Sequence, residues 1–220
     1  MSDLWGVLTE HLPEFSSGFF VTFRLVAIAF VIAMVVGTLI AALRVAPLRW
    51  LNLVGATYVE IFRNIPLLVL LFIAFAGLRR AGIPISPWVA GTASLGLYTA
   101  AYIAEALRSG VFSVGSGQID AALSLGLTYP KALRRIVLPQ AFRSVIPALG
   151  SLIIAMIKNS AIVGASLLAL PDLLKEARQV QSQTFETNEV FFWAAVGYML
   201  LTVSATLIFR YLENRFEIKR

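Results

Sequence analysis

The sequence predicts an all-α integral membrane protein of five transmembrane helices, folded as one domain over residues 1–220. Three observations predict it. Of the residues, 59% are hydrophobic and only 14% charged, with a mean hydropathy of +0.83, far too apolar for a soluble chain of this length. Five apolar stretches, at about 19–43, 51–78, 88–107, 144–170 and 191–209, each reach the ~20 residues a helix needs to cross the hydrocarbon core. The basic residues gather beside these stretches rather than on one compact patch. The net charge of +6 therefore reflects membrane topology, and nucleic acid is excluded as a partner.

The elements follow in order. Residues 1–18 contain Asp3, Glu10 and Glu14 but neither Lys nor Arg, the wrong start for a cleaved signal peptide, and read as an external, amphipathic lead-in. With this end outside, eleven basic residues fall on the inner side, Arg44, Arg49, Arg108, Lys131, Arg134, Arg135, Arg143, Arg210, Arg215, Lys219 and Arg220. Only Arg79, Arg80, Lys175 and Arg178 fall outside. The positive-inside rule thus predicts an external amino terminus and a cytoplasmic carboxyl terminus. Two connections are long. One is a cytoplasmic region over about 110–143, the other an external polar stretch from Pro171 to Glu189.

Within the cytoplasmic region, 120–139 reads as two short helices joined at Gly126. Asp120 can cap the first, its carboxylate accepting orphan backbone N–H groups. Gly126 permits the turn, Thr128 can cap the second helix with Pro130 in its first turn, and Pro139 is expected to stop it. Lys131, Arg134 and Arg135 form a basic rim, which suits either a groove on a partner protein or the membrane surface.

Ionisable side chains inside a span are costly, so each needs a partner or a task. Glu60 and Arg63 fall near mid-membrane in the second span, and their i,i+3 spacing lets them neutralise each other. Asn64 and Pro66 weaken the helix directly after them. The pair either serves packing or lines a solute path. Lys158, Asn159 and Ser160 form a polar triplet in the outer half of the fourth span, where Lys158 can also snorkel to the interface. Glu105 and Arg108 read as an interfacial salt bridge, and Arg24 as an edge snorkeler. Gly91, Gly96, Gly150 and Ser151 read as close-packing positions.

Some chemistry is excluded outright. Cysteine is absent and His11 is the one histidine, so thiol chemistry and His-pair metal motifs are not possible, and no metal or catalytic residue is expected. No lysine follows a glycine, so the chain has no Walker A loop to cradle ATP phosphates. Any ATP hydrolysis belongs to another chain.

Asp120, Ala121, Ala122, Gly126, Ile136, Leu138 and Pro139, at this spacing, resemble the "EAA" signature of membrane subunits of bacterial ABC importers, with Asp120 where glutamate is usual. The run Glu60-Ile-Phe-Arg63-Asn64-Ile-Pro66-Leu-Leu resembles the "E-x-[FV]-R-[GN]-[TI]-P-L-L" segment of the polar amino acid permeases in that superfamily. Lys158-Asn159-Ser160 is similar to their K-[DN]-[ST] segment, and the stretch from Tyr98 to Gly110 to their third span. The resemblance implies an ABC importer type I transmembrane domain in a bacterial inner membrane, paired with an identical or homologous second permease. It further implies two cytoplasmic ATPase subunits, holding ATP and Mg and docked on 120–139, and an external solute-binding protein. Glu60, Arg63, Asn64, Lys158, Asn159 and Ser160 become substrate-pathway residues. Asn159, in place of an acidic residue, leans the substrate toward glutamate, glutamine or aspartate. Two other classes stay open: an ion-coupled secondary transporter, which usually shows repeated halves, and a non-transporting membrane scaffold.

Overall fold

The computed structural model describes residues 4–166 and 170–216, and every regular element among them is helical. A short α1 (Leu4–Glu10) leads into α2 (Leu12–Val45), which opens with a proline in its first turn and Glu14 beside its positive end. At 34 residues α2 is longer than the expected span. Part of the expected lead-in belongs to the same helix.

The expected second span is not one straight helix. It breaks after α3 (Arg49–Asn64), because Pro66 pushes Ile65 into an extended conformation, ψ 128°. The chain turns through 101° into α4 (Leu67–Phe72), a π turn at Ile73–Gly77 and α5 (Leu78–Arg80). α6 (Pro87–Ser113) starts with Ser86 Oγ accepting the Val89 N–H at 3.3 Å and a proline at the first turn.

α6 is the central element, packed on α2, α3, α4 and α9. Its crossing with α2 depends on small residues. A Cβ on Gly37 of α2 would fall 2.8 Å from Ile103 Cγ2 and 3.0 Å from the Ala100 carbonyl, and one on Gly96 of α6 would fall 2.8 Å from Ile32 Cγ2. In lipid the helices gain little from hydrophobic burial, so such close backbone approach is what holds them.

The region expected to hold two short helices contains α7 (Ser116–Ser124), a turn at Gly126 with φ +80°, and α8 (Tyr129–Ala132). Two expectations are corrected here. Asp120 lies within α7 rather than at its cap, a position held by Gly115 with no side-chain cap bond. Pro139 does not stop the second helix: α8 runs on through a π turn at Leu133–Val137 into α9 (Leu138–Ala165), with Pro139 in the first turn of α9. The wider π turn accommodates a ring that would clash with the preceding turn of a regular α-helix. The polar segment is thus covalently and helically continuous with the apolar helix after it.

Asp172 then caps α10 (Leu173–Thr184), Phe185 ends it at φ 61°, and α11 (Thr187–Phe216) closes the chain. Residues 167–169 of the expected fourth span, and Lys219 and Arg220, lie outside the described residues.

Leu12–Val45, Leu133–Ala165 and Thr187–Phe216 are each long and apolar enough to cross a membrane, and the bent pair Arg49–Asn64 with Leu67–Arg80 makes a fourth if taken as one span. Length and composition alone do not reach the expected five. α6 falls short because it meets protein rather than lipid, and its face is built of Gly, Ala, Ser and Thr with Glu105 and Arg108 at one end. The outward faces of α2 and α11 are the opposite, with Phe20, Val31, Leu39, Leu200, Leu207 and Ile208 exposed. Faces of that size suit acyl chains rather than water.

Candidate functional site

Three polar groups interrupt the apolar bundle. The first sits at the break between α3 and α4. Glu60, Arg63 and Asn64 are all exposed on the isolated chain. The expected Glu60–Arg63 ion pair does not form. Glu60 instead accepts from Asn64 Nδ2 at 3.1 Å, and the same nitrogen also donates to the Glu60 carbonyl at 2.7 Å. Arg63 turns toward α6 and lies 5.4 Å over the Tyr102 ring, a cation–π contact, with its charge felt at Glu105. Tyr102 in turn shares a hydroxyl contact of 3.1 Å with Tyr98. A side chain with an aromatic face in reach need not fold back along its own helix.

The second group joins α2 to α6. Glu105 accepts from Arg108 Nε at 3.1 Å and Nη2 at 2.5 Å, as the spacing predicted. It also accepts from Arg44 Nη1 at 2.6 Å, 61 residues away. Sequence spacing reveals the intrahelical pair and not the second arginine. Both oxygens of the carboxylate are therefore used, and the network ties the two most closely packed helices together at the end nearest the polar region.

The third group is the triplet on α9, and the structure divides it. Lys158 is exposed, Asn159 half-buried and Ser160 buried, its hydroxyl donating to the Ile157 carbonyl at 2.7 Å. Successive helical residues turn by about 100° at 3.6 residues per turn, so Lys158 and Ser160 face different ways. Ser160 points to a cluster that the sequence reading missed, formed with Thr22, Asp172 and Tyr198. A Pro-Asp step before a helix-forming run is the N-cap signal that could have marked it. No hydrogen bond or ion pair among the described residues joins Glu60 or Arg63 to Lys158 or Asn159. Arg24, read as an edge residue, lies 5.7 Å over the Trp88 ring.

The turn between α7 and α8 protrudes. Leu125 is 84% exposed, and a Cβ on Gly126 would meet nothing within 4 Å. Asp120, Ala121, Lys131, Arg134, Arg135, Leu138 and Pro139 are also exposed, whereas Ala122 is buried and Ile136 half-buried. The projection thus carries an apolar side chain at its tip and basic side chains behind it. Beside it, a polar cavity of about 700 Å³ lies between α6, α7, α9 and the end of α11, lined by Gln118, Gln140, Arg143, Glu213 and Asn214 among others. Among the described residues no cluster of His, Cys, Asp or Glu could hold a metal ion.

Residues 33–218 match the model of the family described as binding-protein-dependent transport system inner membrane component. The chain is 40% identical to a probable glutamine ABC transporter permease protein, GlnM, of Bacillus subtilis (strain 168), over 96% of this chain and 97% of that protein. It is 32% identical to the glutamate/aspartate import permease protein GltJ of Escherichia coli (strain K12), over 97% and 95%. A solved crystal structure of an amino acid ABC transporter with histidines superposes with a TM-score of 0.90 at 33% identity, covering 98% of this chain and 99% of that one.

Proposed function

The chain belongs to the family of binding-protein-dependent transport system inner membrane components, and on that premise we propose that it is the permease subunit of an ATP-driven importer of polar amino acids. The observation that carries the reading is the agreement of two independent likenesses, the family match over 33–218 and a TM-score of 0.90 to an amino acid ABC transporter. As a permease subunit it is not itself an ATPase. ATP and Mg belong to two partner ATPase subunits, and the second half of the pathway to another permease, identical or homologous.

The projecting Leu125–Gly126 turn docks on the ATPase, with Lys131, Arg134 and Arg135 as its basic rim. The unbroken helical path from α8 through the π turn to α9 supports a lever. A displacement at the turn is passed to Lys158 and Asn159 without crossing a flexible loop. The basic residues around this segment support a cytoplasmic position for it, with α10 on the opposite side, facing the solute-binding protein. Glu60, Arg63 and Asn64, exposed on the single chain, line the pathway together with Lys158 and Asn159. The solute is glutamine, glutamate or aspartate: Arg63 and Lys158 meet a carboxylate, and Asn159 offers no extra charge for a cationic side chain.

Purification of the chain from its native membrane tests this. The expected companions are an ABC ATPase and a solute-binding protein, and ATPase activity that rises with the binding protein loaded with glutamine or glutamate. Stimulation by an arginine- or histidine-loaded protein instead overturns the substrate assignment, and purification with no ATPase overturns the import assignment.

A further inference from the structure

Asp172 is the one ionisable side chain that is fully buried among the described residues, at 0% exposure. Its carboxyl rests on the backbone of Gly164 in α9, where a Cβ would lie 1.7 Å from Oδ1. Oδ1 accepts the Lys175 N–H at 2.9 Å, which caps α10. Oδ2 is buried with no hydrogen-bond partner, and no ion pair among the described residues reaches it. The Tyr198 hydroxyl of α11 lies close to Asp172, Thr22 and Ser160, yet it too is buried without a well-aligned partner. Two of the four unpartnered buried polar atoms among the described residues thus belong to neighbouring side chains. The Leu173 N–H donates to Thr22 Oγ1 at 3.0 Å, and a Cβ on Gly18 would come within 2.8 Å of Leu173 Cα. The head of α10 is therefore wedged between α2, α9 and α11.

An ionised carboxylate in that wedge would be a buried charge answered by dipoles such as the Lys175 N–H and the Tyr198 hydroxyl, a costly arrangement. A neutral carboxyl has an O–H to donate, and the phenol oxygen can accept it while donating its own O–H to Thr22 or Ser160. We propose that Asp172 is a positioning residue that works in its protonated form, donating from Oδ2 to the Tyr198 hydroxyl and locking α10 to α11 and, through Tyr198, to Ser160 of α9. Burial pushes its carboxyl up to about 6, opposed by the Lys175 N–H and the Tyr198 hydroxyl and reinforced by the charge of Glu176. The groups that bear on it are Glu176 and the backbone N–H groups of Leu174 and Lys175 on α10 and Tyr198 on α11; the uncharged hydroxyls of Thr22 on α2 and Ser160 on α9 meet Tyr198, and the charges of Lys175 and Glu14 bear on Glu176. The sign follows: the lock is intact at low pH and is lost as pH rises through the raised value.

The proposal rests on the import reading only for its transport arm. Difference infrared spectra of the purified complex, wild type against Asp172→Asn, should show a protonated-carboxyl band that titrates away with a midpoint at or above about 6 and that moves in Tyr198→Phe. In vesicles, Asp172→Asn, whose amide can still donate to Tyr198, should keep uptake and lose its decline at high pH, while Asp172→Ala falls by about tenfold, the cost of an unsatisfied buried hydroxyl. A midpoint near the ordinary aspartate value of about 3.9, or an Asn variant as inactive as Ala, overturns the proposal. A wild type without ATP-driven uptake counts against the import reading alone, because the infrared titration still decides the proton.

Discussion

Replacing Glu105 with alanine removes the acceptor of two arginines at once, and the structure says how unequally they matter. Arg44 lies on another helix with its side chain 16% exposed, and its Nε already has no hydrogen-bond partner. Arg108 lies one turn along the same helix and is 31% exposed. Breaking a buried pair by removing one partner costs about 3–5 kcal/mol; with Glu105 27% exposed, water recovers part of this, leaving about 2–3 kcal/mol. At about 1.4 kcal/mol per tenfold, the folded-to-unfolded ratio drops roughly 30- to 140-fold. Arg108→Ala loses only a solvated i,i+3 pair, about 0.5 kcal/mol, and Arg44→Ala falls between the two. Unfolding of the purified chain in mixed detergent micelles, titrated with a denaturing detergent, measures the order. Arg108→Ala as costly as Glu105→Ala would refute the view that the interhelical arm carries the network.

Gly126→Trp should leave insertion and folding near wild type, at a backbone cost of about 1–2 kcal/mol for a non-glycine residue at positive φ, while abolishing uptake because the new ring fills the space the partner needs; Gly126→Ala, with the same backbone cost and little bulk, should retain most uptake. The chain has no cysteine, so Leu125→Cys and Gln179→Cys, both at exposed positions, can report orientation: an impermeant maleimide should label position 179 in intact cells and position 125 only after permeabilisation. Gly37→Leu should destabilise the chain by about 1–3 kcal/mol as an overpacked contact, since its Cβ alone already meets Ile103 at 2.8 Å; an unchanged unfolding curve would mean that α2 and α6 do not approach as described.

Local signals carried most of the fold. Apolar runs located α2, α6, α9 and α11, Pro66 marked the weak point after α3, and Gly126 marked a turn. Information that lives between elements was not legible. The 101° bend follows Pro66, but its size depends on what α4 packs against. Pro139 reads as a stop because proline disfavours a regular α-helix, and only the preceding π turn lets the helix continue. Glu60 and Arg63 have the spacing of a pair, yet Tyr102 on α6 offers Arg63 a contact that spacing does not reveal. Asp172 looks like one more polar residue in a connecting stretch until Gly164, eight positions earlier, is seen to leave room for its carboxyl. Of the candidate site, the polar positions on the spans and the one intrahelical pair, Glu105 with Arg108, were readable, and the partners on other helices were not.

The central claim is tested most directly by uptake into proteoliposomes that hold this chain with its co-purified ATPase and second permease, with the loaded binding protein outside. The account predicts accumulation of glutamine or glutamate that requires ATP on the ATPase side and persists when sodium and proton gradients are collapsed. Uptake that continues without ATP and stops when an ion gradient is removed would contradict it.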